Sequence, residues 1–446
     1  MAVTPNASTT TRTSEADART RQRFLARLTA ATGGGFFMDG FVFASIAVVM
    51  ASQTFRADLA VTPVWQGLIS ASTLVGTLLG SPVLGYLTDR FGRRRLFLLD
   101  PAAFLAGTVL LYFADQPWEI VVLGLLLGGA IGADYAIGPS LLGEFAPATT
   151  RGRYVGVLEI LWNVGYVAAY LTGFLVTRAD PGAWQWALAA GAVPALGLML
   201  LRRGTPESPR WLVSKGKSEQ AREIVRARLA TELEETDILV EASGTTRWRV
   251  LFSRDYVLRT VFCATFWICI VLPYFALTFF EADVLRTLGL TDPVASAVLG
   301  TVVALVGAAA GWLLVDRIGR RKLLVLPMFA TGAALALVSA GSQLPESVTV
   351  LCFFGYLLFY GVMSILPGIY PLEVFPTALR NSGTGFASAA SRAGAAIGTF
   401  LLPLAMLYLG FAPTLLLMAL VCLLGGVSSL LLAPETRGRS LAETTA

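Results

Sequence analysis

The stretch DRFGRRR at residues 89–95 returns as DRIGRRK at residues 316–322, about half the chain further along. Each copy lies between two long apolar runs. A short charged turn between two apolar segments predicts a pair of membrane-spanning helices joined on one side of the bilayer. The return of the same turn indicates that this pair of helices occurs twice.

Two further landmarks repeat in the same order and at nearly the same spacing. EFAP at 144–147 returns as EVFP at 373–376. PES at 206–208 returns as PET at 434–436. Matched landmarks at nearly one spacing predict a tandem duplication of about half the chain, a pattern that is typical of membrane carriers.

The composition places most of the chain in lipid. Hydrophobic residues make up 55% of the 446 and charged residues 14%, and the mean hydropathy is +0.68. A soluble chain carries roughly a quarter charged residues, and a spanning helix needs about 20 apolar ones. We predict an all-α membrane protein of twelve transmembrane helices in two pseudo-symmetric six-helix bundles. The predicted spans are 31–53, 65–87, 96–114, 118–142, 154–177, 184–201, 258–280, 294–315, 323–341, 347–370, 382–408 and 410–432.

The polar segments divide the chain into five parts. Residues 1–30 are rich in Thr, Ser and Arg, which predicts a disordered cytoplasmic tail. Ser218 is a suitable cap for a helix that reaches about Val240 within the long polar connection. The parts are the tail 1–30, the first bundle 31–201, the cytoplasmic linker 202–256, the second bundle 257–432 and the cytoplasmic tail 433–446.

The basic residues predict the orientation. If both termini are cytoplasmic, 30 of the 34 Lys and Arg lie in cytoplasmic segments. Basic residues of short loops stay on that side, so we predict that both termini are cytoplasmic. Low charge, short loops and the absence of a lipidation signal predict a multi-pass protein of the plasma (inner) membrane. The basic residues are scattered over short loops rather than gathered on one face, which argues against nucleic-acid binding.

Acidic residues accompany the bases at the predicted cytoplasmic helix ends. Opposite charges on neighbouring helices can pair while the inner side is closed and separate when it opens, although an exposed pair contributes only about 0–1 kcal/mol. The alternative is that the arginines only fix the topology. The predicted gating residues are Asp89, Arg90, Arg93, Arg94, Glu144, Arg151, Glu207, Asp316, Arg320, Glu373, Arg380 and Glu435.

These motifs resemble those of a known family. GYLTDRFGRRR at 85–95 is similar to the signature loop of the major facilitator superfamily. PESPRWL at 206–212 and PETRG at 434–438 resemble the marks of its sugar-porter-like branch, which includes organic-ion and metabolite carriers. The resemblance covers roughly residues 31–440. It implies two six-helix bundles, a central site and alternating access.

Four ionisable residues lie well inside apolar runs: Asp39, Asp134, Glu159 and Arg392. Such groups are costly in a membrane and mark a pathway or a site. Counting about 1.5 Å per residue places Asp39, Asp134 and Arg392 about 13–18 Å from the cytoplasmic boundary, near the middle of a core of about 30 Å. The three residues are therefore expected to share a central site.

The residue types predict the roles. The chain has no His, so a coupled proton must be carried by a carboxylate or by water. The candidates for proton coupling are Asp39, Asp134 and Glu159, while the guanidinium of Arg392 suits a carboxylate or phosphate. An internal ion pair of Arg392 with Asp39 or Asp134 is the alternative. The predicted substrate-binding residues are Arg392, Asp134, Tyr135, Trp162, Asn163, Trp267 and Tyr360.

Three segments carry a finer resemblance. GADYAIG at 132–138 is similar to the helix 4 motif of proton-coupled phosphate and metabolite symporters, and implies that Asp134 helps to bind substrate or proton. MDGF at 38–41 resembles helix 1 of those carriers and of aromatic-acid symporters. GFASAASRAGAAIG at 385–398 resembles their helix 11, whose basic residue matches Arg392.

Differences between this sequence and those family patterns reduce the number of candidate substrate classes. Val42 and Val271 replace acids of the phosphate carriers, which argues against phosphate. Gly124 stands where proton-coupled sugar porters carry Arg, which argues against sugar.

We therefore predict a secondary active transporter that couples proton symport to a small organic anion, a carboxylate or an aromatic acid. The alternatives are a proton-coupled exporter of a drug or metabolite and a sugar/proton symporter. A phosphate-binding loop, a G-x-S-x-G motif and a metal-like cluster are missing from the sequence, so we predict no enzyme, no cofactor and no metal. The expected partners are the substrate, protons and the lipid bilayer, with the chain as a monomer.

Overall fold

The computed structural model describes residues 7–146, 151–229 and 248–437. Twelve helices in this part of the chain are long and apolar enough to cross a membrane, which confirms the predicted number. Because twelve is an even number, both ends of the described chain lie at the same end of the bundle. We call this end, which carries Gly92 and Gly319, the basic end, and the opposite end the distal end.

The first half consists of six spans and three short helices. Its spans are α1, α3, α4, α5, α6 and the pair α7–α8, which together form one crossing. The bounds are α1 (Ala7–Met50), α2 (Gln53–Asp58), α3 (Pro63–Phe91), α4 (Arg93–Tyr112), α5 (Pro117–Phe145), α6 (Arg151–Ala179), α7 (Trp184–Ala189), α8 (Ala192–Arg202), α9 (Pro209–Ser214) and α10 (Ser218–Leu229).

The second half repeats the pattern. Its spans are α11, α13, α14, α15, α17 and α18, and a 3₁₀ turn at Leu366–Gly368 extends α15. The bounds are α11 (Val257–Phe279), α12 (Glu281–Thr287), α13 (Pro293–Ile318), α14 (Arg320–Ser339), α15 (Glu346–Met363), α16 (Tyr370–Val374), α17 (Thr377–Tyr408) and α18 (Phe411–Leu432).

A tight turn at Gly92 joins α3 to α4. The glycine has φ 100°, a backbone conformation that is strained for residues with a Cβ. The carboxylate of Glu207 accepts hydrogen bonds from the backbone N–H groups of Arg93 and Arg94 at 2.9 and 3.1 Å. It therefore satisfies two of the N–H groups that the start of α4 leaves unpaired and places a negative charge at the positive end of the helix dipole.

The turn at Gly319 between α13 and α14 has the same construction. Gly319 has φ 97°. The carboxylate of Glu435 accepts hydrogen bonds from the backbone N–H groups of Arg320 and Arg321 at 3.0 and 3.2 Å. The sequence repeat is thus a structural repeat, in which the segment after the last span of each half caps the second helix of the repeated pair.

Glycines bring helices together within each bundle. A Cβ built on Gly128 of α5 would lie 2.9 Å from the Cα of Gly76 on α3, so the two backbones are in contact. In the second half a Cβ on Gly307 of α13 would lie 3.0 Å from the Cα of Gly361 on α15. Small residues at such crossings are the usual means of close helix packing in membranes. The two bundles meet chiefly where α3 packs on α17 and α6 packs on α13.

The distal end is closed by contacts between the halves. Arg56 pairs with Asp283, and Arg178 pairs with Asp292 at 3.3 Å. The Tyr170 hydroxyl donates to the carbonyl oxygen of Thr278 at 2.8 Å. We call these contacts between α1, α2 and α6 on one side and α11, α12 and α13 on the other the distal seam.

Two predictions about polar segments change. The predicted disorder of residues 1–30 is wrong from Ala7 onwards, because α1 is continuous from that residue. The stretch is helical where its apolar residues pack: Leu25 and Leu28 are buried, and the ring of Phe24 lies 5.1 Å from that of Phe145. The linker helix begins at Ser218 as predicted but is described only to Leu229, and the rest of its predicted length lies outside the described residues.

The caps give a first prediction. Glu435→Gln and Glu207→Gln should each destabilise the protein by about 1 kcal/mol, because a neutral amide offers weaker acceptors to the helix N–H groups. The measurement is the melting temperature in detergent, with an expected fall of about 2 °C. Glu219→Gln is the control, since its side chain is 87% exposed. Equal melting temperatures for the three variants would contradict the capping role.

Candidate substrate and proton sites

Arg392 lies at the centre of α17, between the two bundles. Only 7% of the residue is exposed. Its guanidinium carbon lies 4.9 Å from the ring centroid of Tyr135 in the first half and 5.5 Å from that of Phe275 in the second. Both distances are in the range of cation–π attraction. The arrangement brings Arg392 and Tyr135 together as predicted.

Small residues of α17 allow this approach. A Cβ on Gly394 would lie 2.8 Å from Ile268, and one on Gly398 would lie 2.7 Å from Leu272, so α17 runs directly against α11. The apolar packing on this side leaves the long Arg392 side chain to extend between the bundles. The Nε atom of Arg392 is buried and has no hydrogen-bond partner among the described residues.

An aromatic cluster surrounds this position. The rings of Tyr274 and Tyr360 stack with centroids 3.6 Å apart. Trp162 lies 5.2 Å from Tyr166 and 6.1 Å from Phe275. Trp162 and Tyr360, from different halves, therefore belong to one apolar cluster, as the sequence predicts for a site between the bundles. Such a cluster provides flat apolar surface and a polar edge at each Tyr and Trp.

Asn163 and Trp267 have less distinctive surroundings. The side-chain amide of Asn163 donates to the carbonyl oxygen of Glu159 in its own helix at 2.9 Å. The separation of Asn163 from Arg392 along the chain equals that of Glu144 from Glu373, so Asn163 and Arg392 occupy matching places in the repeat. Trp267 is half-buried on α11 and packs against the apolar core. The roles of Asn163 and Trp267 in substrate binding stay predictions.

Asp39 lies in the second half of α1, and its carboxylate has no hydrogen-bond partner among the described residues. The residue is fully buried, and neither carboxylate oxygen has a hydrogen-bond partner in that part of the chain. It is attracted electrostatically by Arg202 and Arg392 and repelled by Asp134 and Asp100. An ionised carboxylate without a partner is costly in such surroundings, so Asp39 suits a role in which it takes up a proton.

Glu159 is the third predicted proton carrier. It is half-buried on α6 and is attracted by Arg392. Arg392 also attracts Asp39, so two carboxylates of the first half lie within the electrostatic influence of one guanidinium.

Asp134 pairs with a different arginine. Both of its oxygens accept hydrogen bonds from Arg202 at 2.7 Å, and Arg202 also binds Asp100 at 2.9 Å. Arg202 is fully buried, lies 3.9 Å from the ring centroid of Phe97 and donates to the carbonyl oxygen of Ala31 at 3.2 Å. We call Asp100, Asp134 and Arg202 the buried triad. It ties α1, α4, α5 and α8 together at the basic end of the first bundle.

The buried triad corrects the sequence analysis. The alternative ion pair of Arg392 with Asp39 or Asp134 is wrong, because Asp134 faces α8 and no carboxylate among the described residues lies within ion-pair distance of Arg392. Depth along a helix was predictable, but the direction in which a side chain points was not. Gly35 permits the contact, since its Cβ would lie 2.7 Å from Cγ of Asp134.

The charges of this region do not balance. Asp39, Asp100 and Asp134 are three buried acids, whereas Arg202 and Arg392 are two buried bases. With the half-buried Glu159 the acids near these two bases number four, so the count balances only if two carboxyl groups carry a proton. Asp39 is the fully buried acid with no hydrogen bond to either base. A substrate anion would add one more negative charge.

The predicted gating residues form contacts within each half. Arg320 pairs with Asp316 at 3.0 Å and with Glu373 at 3.1 Å, and Glu373 also accepts a hydrogen bond from Thr436 at 2.5 Å. Glu207 and Glu435 act as the helix caps described above. The guanidinium of Arg90 lies 5.5 Å from the ring of Phe91. The side chains of Asp89, Glu144, Arg151 and Arg380 lie outside the described residues. A gating role stays a prediction.

Arg202 and Phe275 are the central residues that the sequence analysis missed. Arg202 and Arg203 follow an apolar run, and two arginines in this position look like the ordinary cytoplasmic end of a spanning helix. The matching position in the second half is apolar, and that asymmetry between the repeats was the available signal.

The sequence from residue 26 to 446 matches the family described as sugar (and other) transporters. The chain belongs to this family. It is 37% identical to the inner membrane metabolite transport protein YgcS of Escherichia coli, over 94% of this chain and 93% of that protein. It is 35% identical to the putative metabolite transport protein YaaU of the same organism, over 92% of each chain.

Solved structures show the same fold. The xylose transporter XylE of E. coli in a partially occluded inward-open conformation superposes with a TM-score of 0.81 at 20% identity, over 94% of this chain and 100% of that chain. A structure described as the proton:xylose symporter XylE bound to 6-bromo-6-deoxy-D-glucose gives a TM-score of 0.78 at 21% identity, over 95% and 99%. The chain is thus a major facilitator transporter of the sugar-porter branch, a multi-pass plasma-membrane carrier and not an enzyme.

The buried triad gives a second prediction. Asp134→Ala should destabilise the protein by about 3–5 kcal/mol, because it leaves the charge of Arg202 buried with one partner. Asp100→Ala should cost less, since the two hydrogen bonds to Asp134 remain. The measurement is thermal unfolding of the protein in detergent. The control is Asp115→Ala, an exposed acid at the distal end. An Asp134→Ala variant as stable as the control would refute the structural role of the triad.

Proposed function

We propose that this transporter is a proton-coupled symporter of a small organic anion, with the anionic group held by Arg392. The observation that carries the proposal is the position of Arg392. Its guanidinium is buried between the two halves, and no carboxylate of the described chain lies within ion-pair distance of it. An anionic partner strongly stabilises a buried cation of this kind. A guanidinium binds a carboxylate through two parallel hydrogen bonds.

The surrounding residues suit a substrate with an apolar or aromatic body. Tyr135 and Phe275 cover the guanidinium, and Trp162, Tyr274 and Tyr360 continue the aromatic surface. Tyr135 keeps accessible surface in the middle of its helix, which supports space for a small molecule beside it. The anionic group would bind at Arg392 and the body of the substrate would lie against the rings.

Proton coupling follows from the charges. Arg392 attracts Asp39, less strongly than Arg202 does, and this part of the attraction is the part that a bound anion can change. An anion bound at Arg392 compensates the guanidinium and weakens this effect, so that proton binding at Asp39 becomes easier. By linkage, a proton on Asp39 in turn favours anion binding. The two ligands are therefore expected to load and leave together, which is what symport requires.

We also propose an orientation for this carrier in the membrane. The excess of Lys and Arg at the basic end supports a cytoplasmic position for that end and for both termini. The distal end then faces outward, and the closed distal seam corresponds to a state in which the outer entrance is shut.

The second candidate substrate is a sugar or another polyol. The aromatic cluster contains two buried polar atoms without partners among the described residues, Nε1 of Trp162 and the hydroxyl of Tyr166, and the hydroxyl of Tyr356, one turn before Tyr360 on α15, is a third. Such atoms are suited to hydrogen bonds with substrate hydroxyl groups. The fold neighbour XylE is described as a proton:xylose symporter. Arg392 would then position a hydroxyl group rather than an anion.

The role of Arg392 can be tested directly. Arg392→Gln should raise the KM for a transported carboxylate by at least about tenfold, because a charge-assisted pair is lost. Arg392→Lys should recover part of the affinity, since it keeps the charge without the planar fork. The measurement is uptake and internal pH in proteoliposomes supplied with carboxylates, sugars or cationic drugs. Arg254→Gln is the control, because Arg254 is an exposed loop residue.

The outcomes of this assay separate the candidates. Internal acidification with a carboxylate, weakened in Arg392→Gln, supports anion symport. The same acidification with a sugar selects the second candidate, and proton efflux with a drug would contradict both. An Arg392→Gln variant with the parental KM for a carboxylate excludes anion binding by this residue.

Asp39 gives a separate prediction. Asp39→Asn should abolish accumulation against a gradient while exchange of labelled for unlabelled substrate continues, because the amide mimics the protonated acid and cannot release a proton. The measurement compares uptake driven by a proton gradient with counterflow at equal pH. Asp115→Asn is the control. A variant that still accumulates substrate would move the coupled proton to another group, with Glu159 the next to test.

A further inference from the structure

A second buried carboxylate without partners among the described residues lies in the distal seam. Glu281 is the first residue of α12, and only 1% of it is exposed. Neither of its oxygens has a hydrogen-bond partner in the described chain. The sequence around Glu281 does not single it out, because an apolar run followed by Glu281 and Asp283 looks like the polar end of a span.

The helices packed around Glu281 present tyrosines rather than bases. A charge on Glu281 would act on the hydroxyl groups of four tyrosines, which places them in its neighbourhood: Tyr166 and Tyr170 on α6, Tyr274 on α11 and Tyr356 on α15. On the side of α13 the neighbour is Gly300, whose Cβ would lie 3.2 Å from Cδ of Glu281.

The charged groups near Glu281 along the chain are engaged with each other. On its own helix, Asp283 pairs with Arg286 at 2.6 Å and with Arg56 of the first half. No cation among the described residues pairs with Glu281 itself. Burial raises the pKa of Glu281 well above its ordinary value.

The location of Glu281 links it to the movement of the seam. Tyr170 belongs to the first half, and its hydroxyl donates to the carbonyl oxygen of Thr278, which precedes Glu281 by one helical turn in the second half. Just after Glu281, Asp283 holds Arg56 across the same boundary. Opening the distal end must separate these contacts and bring water to the Glu281 carboxyl group.

We propose that Glu281 is a proton-binding site of the distal seam, which holds its proton while the seam is closed and releases it to water on the distal side when the seam opens. The inference rests on the proposed function only in treating the chain as an alternating-access carrier, and it holds whether or not Asp39 carries the coupled proton.

The direction of the pH effect follows from linkage. The closed seam binds the proton more tightly than the open one, because only the closed state keeps the carboxyl group dry. Below the ordinary range of a glutamate, both states are protonated and pH has no effect through this residue. Above that range, each rise of one pH unit should favour the open state by up to about tenfold, until the closed state also loses its proton. Acid on the distal side therefore closes the seam.

The test measures seam opening without transport. Spin labels are placed at Ala57→Cys in the first half and Thr287→Cys in the second, two exposed positions of the distal end, after replacement of the four native cysteines by alanine. The distance between the labels is then measured in lipid nanodiscs from pH 5 to pH 9. We expect the population with long distances to grow as pH rises in the parent. In Glu281→Gln the short distance should persist at every pH.

Two further variants make the result specific. Glu346→Gln removes an exposed carboxylate at the distal end and should keep the parental pH response. Tyr170→Phe removes the hydrogen bond to Thr278 but keeps Glu281, so it should shift the population toward long distances while preserving the pH dependence. This variant also serves as a control: it shows whether the labelled protein can open at all, even if the Glu281→Gln variant stays closed.

The inference is overturned if Glu281→Gln shows the parental pH response, or if the parent shows none. Its failure is distinguishable from that of the proposed function. If Asp39→Asn still accumulates substrate but Glu281→Gln loses the pH response, the coupling proposal fails and the seam site stands. If Asp39→Asn loses accumulation and Glu281→Gln opens with pH like the parent, the coupling proposal stands and the seam site fails.

Discussion

A charged group inside a membrane protein needs a partner of opposite charge or a hydrogen-bond acceptor. The first bundle is built around one buried cation, the guanidinium of Arg202, which has several such partners. Arg202 binds Asp134 and Asp100, lies against the ring of Phe97 and donates to a carbonyl oxygen of α1. Four helices meet at this guanidinium. Separating any of them would leave a buried charge without its partner, so the helices are fixed relative to one another and the bundle can move as a rigid unit.

Three other ionisable groups are exceptions to this pairing. Among the described residues, Arg392 has a buried Nε atom without a partner, and Asp39 and Glu281 have carboxylates without partners. Each is costly to keep in a permanently dry, ionised state. Such groups are tolerable in a carrier because a substrate, a proton or incoming water supplies the missing partner at some stage of the cycle. The first bundle is stabilised by the paired charges of the buried triad, whereas the proposed transport cycle uses the unpaired ones.

The sequence was sufficient for the architecture and for part of the site. The number of spans, the repeated turns and the position of Arg392 at the middle of its span follow from apolar length and charge position, which are one-dimensional properties. The partner of Asp134 cannot be derived from these properties. Neighbouring residues of a helix point in directions that differ by about 100°, and only packing decides which face of α5 meets α8. Glu281 was missed for a related reason: a residue just beyond an apolar run is equally consistent with a solvated loop and with a buried turn.

The two glutamate caps have a consequence for how the chain can be divided. Glu207 caps a helix of the first half and Glu435 caps a helix of the second, and each comes from the segment that follows its own bundle. Neither cap uses a residue of the other half. A chain interrupted between Leu229 and Trp248 would keep every hydrogen bond of both caps. Two separately synthesised polypeptides could thus complete their own loops before they meet, so this carrier is suited to reassembly from fragments.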